Sequence, residues 1–202
     1  MNSRNRNRKA FLITIALFVL PVIFAFVLHK TGWYKSAGTS NKGSLIDPPL
    51  TAESLALESL IPEDFSERKW WIIYIMPNEC SKACENSLYQ MRQIHKALGP
   101  DQARVSRLLI TTENPSESYQ SLIDQEFPNL ETAQLTDTQL ETAFAKVPST
   151  TIERPQDHIY LMDTMGAIFM VYPTYEDEQT SILKGRDLLK DLRKVLKLSK
   201  IG

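Results

Sequence analysis

The stretch Lys69-Trp70-Trp71-Ile72-Ile73-Tyr74-Ile75-Met76-Pro77-Asn78-Glu79-Cys80-Ser81-Lys82-Ala83-Cys84 decides the fold. Its first half, Trp70 to Met76, is a continuous apolar, β-rich run that reads as a central strand covered on both faces. Its second half holds the chain's only two cysteines, four residues apart, where a helical pattern begins. A strand ending on a cysteine pair that opens a helix puts sulfur at a helix N-terminus. Unpaired N–H groups and the helix dipole there favour thiolate over thiol.

Working outward, Cys80 to Leu98 reads as a helix stopped by Gly99-Pro100, and Arg104 to Thr111 as the next strand. Ser116 to Phe127 and Asp137 to Val147 carry helical spacing. Asp157 to Met162 and Ala167 to Tyr172 are strands joined by the turn Asp163-Thr164-Met165-Gly166. Leu183 to Leu198 is an amphipathic closing helix, with Leu188, Leu189, Leu192, Val195, Leu196 and Leu198 on its apolar side. The order βαβ followed by ββα is that of a thioredoxin-type α/β domain, with a mixed central sheet and helices on both faces.

The N-terminus sets the expected location. Arg4, Arg6, Arg8 and Lys9 form a basic cluster, and Ala10 to Leu28 is uncharged and almost wholly apolar. That run is just long enough for a hydrocarbon core of about 30 Å, and Pro21 is tolerated in such helices. Trp33, Tyr34, Lys30 and Lys35 suit the far interface. The expected organisation is a cytoplasmic basic tail over 1–9, a transmembrane anchor over 10–29, a linker and lead-in segment over 30–68, and a thioredoxin-like domain over 69–202. Basic flanks stay cytoplasmic, so a single-pass inner-membrane protein with a periplasmic C-terminal domain is expected. A cleaved signal peptide is the competing reading; the apolar run exceeds a usual h-region and no small-x-small site follows it closely. Within the lead-in, Leu45-Ile46-Asp47-Pro48-Pro49 must be extended, because proline restricts itself and its predecessor.

Net charge is −1, which points to no nucleic-acid partner. Acids cluster between Glu113 and Asp157 and bases between Lys184 and Lys200, both read as solvated faces. Phosphate-cradling glycine loops, zinc-type clusters and Ser–His–Asp ordering are absent from the sequence. Chemistry therefore rests on Cys80 and Cys84. On a helix, such a pair lies about 6 Å apart between Cα atoms, inside the disulfide window, and can also converge on one soft ion such as Cu(I). Structural, redox and metal-binding readings all stay open, although so short a loop makes a poor staple.

Tyr74 six residues before Cys80, the Cys-x-x-x-Cys spacing, and Leu88 and Met91 four and seven residues after Cys84 resemble the Sco/SenC family. Ile159-Tyr160-Leu161-Met162-Asp163-Thr164-Met165-Gly166 resembles that family's strand and turn before its closing β-strand and helix. Gly43-x-Leu45-Ile46-x-Pro48-Pro49, Trp70-Trp71 and Tyr89-x-Met91-Arg92-Gln93-Ile94-x-x-Ala97-Leu98-Gly99 are similar to a divergent branch, the transmembrane protein of the cytochrome oxidase locus. The resemblance implies a membrane-tethered thioredoxin fold that assists cytochrome c oxidase assembly. Its partner would be an oxidase subunit or another copper-site assembly protein. Cys80 and Cys84 would either deliver Cu(I) or reduce a disulfide in the target copper site, with Cys80 attacking and Cys84 resolving.

The family pattern is not fully kept. Ser81 stands where proline usually follows the first cysteine, and Ile75-Met76-Pro77 replaces a glycine-rich approach. The family's third copper ligand, a histidine, aligns with Pro155, three residues before His158, which is the candidate third ligand here. His95 lies eleven residues beyond Cys84, about 16 Å along a helix, too far to share an ion; His29 belongs to the membrane interface. Met76, Met162 and Met165 are soft donors in segments expected near the site, while Trp71 and Tyr160 read as packing. Two rival functions stand beside oxidase assembly: a general periplasmic thiol–disulfide oxidoreductase, and a non-catalytic membrane scaffold whose sulfurs are merely linked.

Overall fold

The computed structural model describes residues 3–31, 40–64, 67–115, 117–148 and 151–199. Two compact units divide the chain, Met1–Ser40 and Asn41–Gly202. The first contains helix α1, Ser3–Thr31, which runs through Pro21. Its Arg8–Thr31 portion has a mean hydropathy of 3.0 and is long and apolar enough to cross a membrane. The Thr14 and Thr31 hydroxyls donate to the Ala10 and Val27 carbonyls, so neither polar group needs water. Trp33, Tyr34 and Lys35 lie outside the described residues.

The second unit is built on a six-stranded mixed sheet. Its strands are β1 (Ser44–Thr51), β2 (Trp70–Ile75), β3 (Val105–Thr111), β4 (Leu130–Gln134), β5 (His158–Met162) and β6 (Ala167–Pro173). They lie side by side in the order β1-β6-β5-β2-β3-β4. β2, β3 and β4 are parallel, whereas β5, β6 and β1 pair antiparallel. The helices are α2 (Lys82–Ala97), α3 (Glu117–Glu126), α4 (Asp137–Phe144) and α5 (Glu178–Leu198).

Every side chain of β2 is buried, as its unbroken apolar run requires. Alternation along the strand sends its residues to two different cores. Trp70, Ile72, Tyr74 and Met76 join α2, α3 and α5 through Cys84, Leu88, Met91, Ile123, Leu188 and Leu192. Trp71, Ile73 and Ile75 join α4 and the lead-in through Leu140, Phe144, Ile46, Leu55 and Leu57. Helices thus cover both faces of the sheet, the arrangement expected of the sequence.

Three elements differ in detail. The segment 30–68, read as linker and lead-in, contributes β1 and two short 3-10 turns, Glu53–Leu55 and Glu58–Leu60, so the compact unit starts at Asn41. The extended reading of Leu45 to Pro49 is borne out, because β1 spans them; Leu45 and Leu50 pair with Met170 and Ile168 of β6, and the register shifts between those two pairs. β4 was not expected: Leu-Glu-Thr-Ala-Gln lacks an apolar alternation, and only parallel pairing with β3 defines it. α5 begins earlier, at Glu178, because the Asp177 carboxylate accepts the Thr180 N–H at 2.7 Å and caps it. Leu198, placed on the apolar side by its spacing, is 81% exposed. It stands about 200° around the helix from Leu196, past the Leu188–Leu192–Leu196 line.

Two small features lock the ends. In the β5–β6 turn, Asp163 Oδ1 accepts the Met165 and Ala167 N–H groups, while Gly166 sits at φ +85° against the Ile61 side chain. At the other edge, Asp191 on α5 is only 2% exposed. It accepts the backbone N–H of Lys42 and Gly43 at 2.6 and 3.0 Å and the Tyr172 hydroxyl at 3.0 Å. That carboxylate holds the chain where it enters the domain. Asp191→Ala leaves the Lys42 and Gly43 N–H groups without their acceptor and the Tyr172 hydroxyl with only the Met170 sulfur, and we expect chemical denaturation to show a loss of about 2–4 kcal/mol. A loss below about 0.5 kcal/mol would show that the clamp is not needed.

Candidate functional site: a cysteine pair at the end of the central strand

β2 delivers the chain to the site at its C-terminal end. The Met76 N–H donates to the Ile110 carbonyl at 2.8 Å, extending the β2–β3 pairing one residue further. Beyond it, the Thr112 hydroxyl bonds Asn78, and the Tyr119 hydroxyl of α3 donates to the Cys80 carbonyl at 3.3 Å. The cysteine loop is therefore held from β3 and α3 as well as from its own helix. Asn86 fastens the first turns of α2 to the β6–α5 loop through the Tyr175 and Glu176 carbonyls, at 3.0 and 2.8 Å.

Cys80 and Cys84 are joined by a disulfide with a Cα–Cα separation of 5.2 Å. The helix starts slightly later than its sequence pattern indicates. Ser81 is the N-cap, its hydroxyl accepting the Cys84 N–H at 3.4 Å, so Cys80 lies just outside α2 and Cys84 in its first turn. This offset makes the two sulfurs unequal. Cys84 is fully buried in the core beneath α2, whereas Cys80 is half-buried at the surface. An incoming group meets Cys80 first, and the helix N-terminus stabilises negative charge on the sulfur it releases. Nearby, Lys82 and Glu85 neutralise one another across 3.0 Å.

Closing a five-residue loop removes about 2 kcal/mol of chain entropy from the unfolded state. So short a loop makes the disulfide a weak staple for the fold.

Beneath the pair lies Tyr74, fully buried on the same face of the sheet as Cys84. Its hydroxyl donates to Asp157 Oδ1 at 3.1 Å. Burial, and then the Asp157 charge, push the Tyr74 phenol far above its usual range, so it remains a donor at any working pH. Asp157 is positioned by its backbone. It adopts φ +65°, donates its N–H to the Ile75 carbonyl at 2.8 Å, and accepts the Thr174 hydroxyl on its own carbonyl at 3.0 Å. Arg154 Nη2 approaches its other carboxylate oxygen at 3.5 Å. The sequence singled out Tyr74 by its spacing from Cys80; nothing in it flagged Asp157, whose role depends on the β2–β5 register.

His158 is not brought to the cysteines. It pairs across the sheet with Ile75, so it reaches the correct end of β5. Its ring, however, faces Tyr160 at a centroid distance of 6.3 Å, and Tyr160 and Ile75 both belong to the α4-side core. Its Nδ1 bonds the Gln156 carbonyl at 2.9 Å. The sheet itself stands between this imidazole and Cys84. The alignment position Pro155 contributes only its carbonyl, which accepts the Tyr160 hydroxyl at 2.6 Å.

The methionines separate similarly. Met76 shares the cysteine-side core, but Met162 faces the other core and pairs with Trp71, four residues and about 13 Å along β2 from the site end. Met165, in the turn beyond Met162, is exposed beside Arg68. Met162 and Met165 thus lie away from the site, contrary to their expected placement. Trp71 and Tyr160 are core residues. His95 bonds the Val105 carbonyl at 2.9 Å, far down α2. Among the described residues no group of three or more His, Cys, Asp or Glu side chains is placed to hold a metal ion.

A double-mutant cycle tests the buried pair. Tyr74→Phe combined with Asp157→Ala should show a coupling energy of about 1 kcal/mol in urea unfolding, and additive losses would mean the contact contributes nothing.

Comparison with known proteins agrees with this architecture. Residues 70–199 match the family described as transmembrane-like, thioredoxin-like, C-terminal domain. No curated protein matches the chain significantly. Similar solved structures include a thiol:disulfide interchange protein from Bacteroides sp., at 17% identity and TM-score 0.47, covering 78% of this chain and 91% of that one. Yeast Sco1 with copper bound is 18% identical, with TM-score 0.44 and coverage of 76% and 95%. A SCO1/SenC family lipoprotein from Bacillus anthracis is 14% identical, with TM-score 0.43 and coverage of 64% and 82%. The match over 70–199, on a mixed sheet that ends its central strand at a cysteine pair, makes the chain a member of the transmembrane-like, thioredoxin-like C-terminal domain family.

Proposed function

We propose that this chain is a membrane-anchored thiol–disulfide exchange protein that assists cytochrome c oxidase assembly by acting on the sulfurs of a target copper site. The observation that carries the proposal is the asymmetry of the pair: Cys80 half-buried before the helix, Cys84 fully buried in its first turn. Exchange needs one accessible sulfur to attack and a second one, shielded, to resolve. The oxidase-assembly part rests on the motifs around Tyr74, Cys80, Cys84 and Gly166.

In the reduced chain, the Cys80 thiolate attacks one sulfur of the partner's disulfide. A mixed disulfide forms, and the partner's other sulfur leaves as thiolate. Cys84, having given up its proton, then attacks Cys80 Sγ. This closes the Cys80–Cys84 bond and releases the partner's second sulfur. Two electrons pass to the partner, and a dithiol donor must return them. In this reading α1, long and apolar enough to cross a membrane, is the anchor, its basic flank stays in the cytoplasm, and the domain works on the oxidising side, where disulfides persist.

Delivery of Cu(I) is the second reading. Copper would be cargo here, bound by the same two thiolates once the disulfide opens, and soft sulfur donors suit that ion. His158 would not complete the set, since it lies across the sheet. A general oxidoreductase without a copper-site partner and a linked but inert scaffold are the rivals.

The full chain in neutral detergent separates these readings. Cys84→Ser should trap a mixed disulfide with a peptide carrying the partner's copper-site cysteine pair, and Cys80→Ser should trap none. Absence of any trapped species with Cys84→Ser would sink the exchange mechanism. Equal trapping of unrelated dithiol peptides would leave a general oxidoreductase. In the cargo reading, the reduced wild type binds Cu(I) at unit stoichiometry, Cys80→Ser abolishes binding, and His158→Ala lowers affinity less than about threefold.

A further inference from the structure

A second polar cluster lies well down α2 from the cysteines, between that helix, β3 and the end of α3. It lines a pocket of about 410 Å³. Arg107 of β3 projects to the α2 side of the sheet and is only 6% exposed. A guanidinium stays charged under all working conditions, and burying one without a counter-ion is expensive. Among the described residues its acceptor is the Pro128 carbonyl, at 2.6 Å, and no carboxylate pairs with it. Its charged neighbour is another cation, Arg92. Burial first, and then Arg92, pull the Arg107 pKa down.

Arg92 is held flat and in place. Its guanidinium lies over the rings of Tyr89 and Phe127, with centroids at 5.4 and 5.2 Å. Nη1 donates to the backbone carbonyl and the carboxylate of Glu126, at 2.7 and 2.9 Å. Nε is buried and has no acceptor among the described residues. Lys96 stands at the rim. The pocket lining therefore carries three permanent cations, Arg92, Lys96 and Arg107, against one carboxylate, Glu126, whose side chain is 55% exposed. The neutral amides of Gln102 and Gln125 join the lining, donating to the Lys96 carbonyl and the Ser121 hydroxyl. His95 is kept largely neutral, mainly by burial, and is engaged with the Val105 carbonyl.

We propose that this pocket binds a phosphate-type oxyanion, received between the Arg92 and Arg107 guanidiniums. Two guanidinium side chains line the one cavity; a guanidinium's planar fork matches the oxygen geometry of a phosphate, and a dianion offsets the excess positive charge. The volume admits a phosphate bearing a small substituent. Free phosphate and a phospholipid headgroup share this chemistry. The site is separate from Cys80 and Cys84 and does not depend on their function. The competing explanation is structural: Arg107 merely braces the loop after α3 through Pro128.

The test uses the full chain in neutral detergent at constant ionic strength. Inorganic phosphate, up to about 10 mM, should raise the melting temperature saturably relative to chloride. In a second arm the micelles are doped with a phosphatidic acid. Response to phosphate alone identifies a free anion, and response to the doped micelles identifies a headgroup; either supports the site. Arg92→Gln should weaken the response about tenfold. Lys96→Gln, a surface change that leaves the fold intact, should weaken it about threefold. These variants also separate the pocket from the basic flank of α1, which attracts anionic lipid by itself. A Cys80→Ser/Cys84→Ser chain should respond like wild type. No response in either arm, or equal responses from wild type, Arg92→Gln and Lys96→Gln, overturns the proposal.

Discussion

The pleat of β2 is the constraint on which the rest depends. A strand buried on both faces must alternate its side chains between two cores, and the residue after it must leave the sheet at a fixed height. Because β2 ends where it does, Met76 closes the last pairing with β3 and the cysteine loop emerges over the α2 face. The same alternation in β5, locked in register with β2, decides which side chains can join the cysteines. Asp157 falls on their face and His158 on the other. A shift of one residue in that register would exchange the two. The chemistry open to the site is thus set by parity in the sheet more than by which residues stand close in sequence.

Around that frame, several buried polar groups tie elements of the domain together. Tyr74 and Asp157 fasten β2 to the start of β5 under the cysteines. Asp191 gathers two backbone N–H groups and the Tyr172 hydroxyl where the chain enters the domain. Asn86 secures the head of α2. Arg107 departs from this pattern: it is buried, its acceptor among the described residues is the Pro128 carbonyl rather than a carboxylate, and it shares a pocket lining with Arg92 and Lys96. That imbalance distinguishes it from the structural polar groups. The cysteine pair differs in another way: its short loop removes little chain entropy, and its two sulfurs are unequally exposed.

Much of the architecture could be read from residue pattern, for reasons visible in single elements. The run Trp70–Ile75 had no alternation and so had to be central. Gly99-Pro100 had to end α2. Pro48 and Pro49 had to be extended, and they lie in an edge strand where missing N–H donors do little harm. β4 escaped notice because Leu130–Gln134 has no apolar alternation, and its strand character comes from the partner it lies beside. The start of α5 was hidden because its first turn rests on a cap at Asp177 and carries few apolar side chains.

The site divides along the same line. Amino-acid order alone determined that two sulfurs would meet at a helix N-terminus after a buried strand, since that depends only on local spacing and helix geometry. It also determined an apolar segment long enough for a membrane. Which of the two sulfurs is accessible was decided by the tertiary structure, because Ser81 caps the helix one residue after Cys80 and turns Cys84 into the core. The exclusion of His158, the approach of Asp157 to Tyr74 and the convergence of Arg92 on Arg107 were decided there too. Each joins residues from separate elements, and their meeting is fixed by register and packing across distances that sequence spacing does not encode.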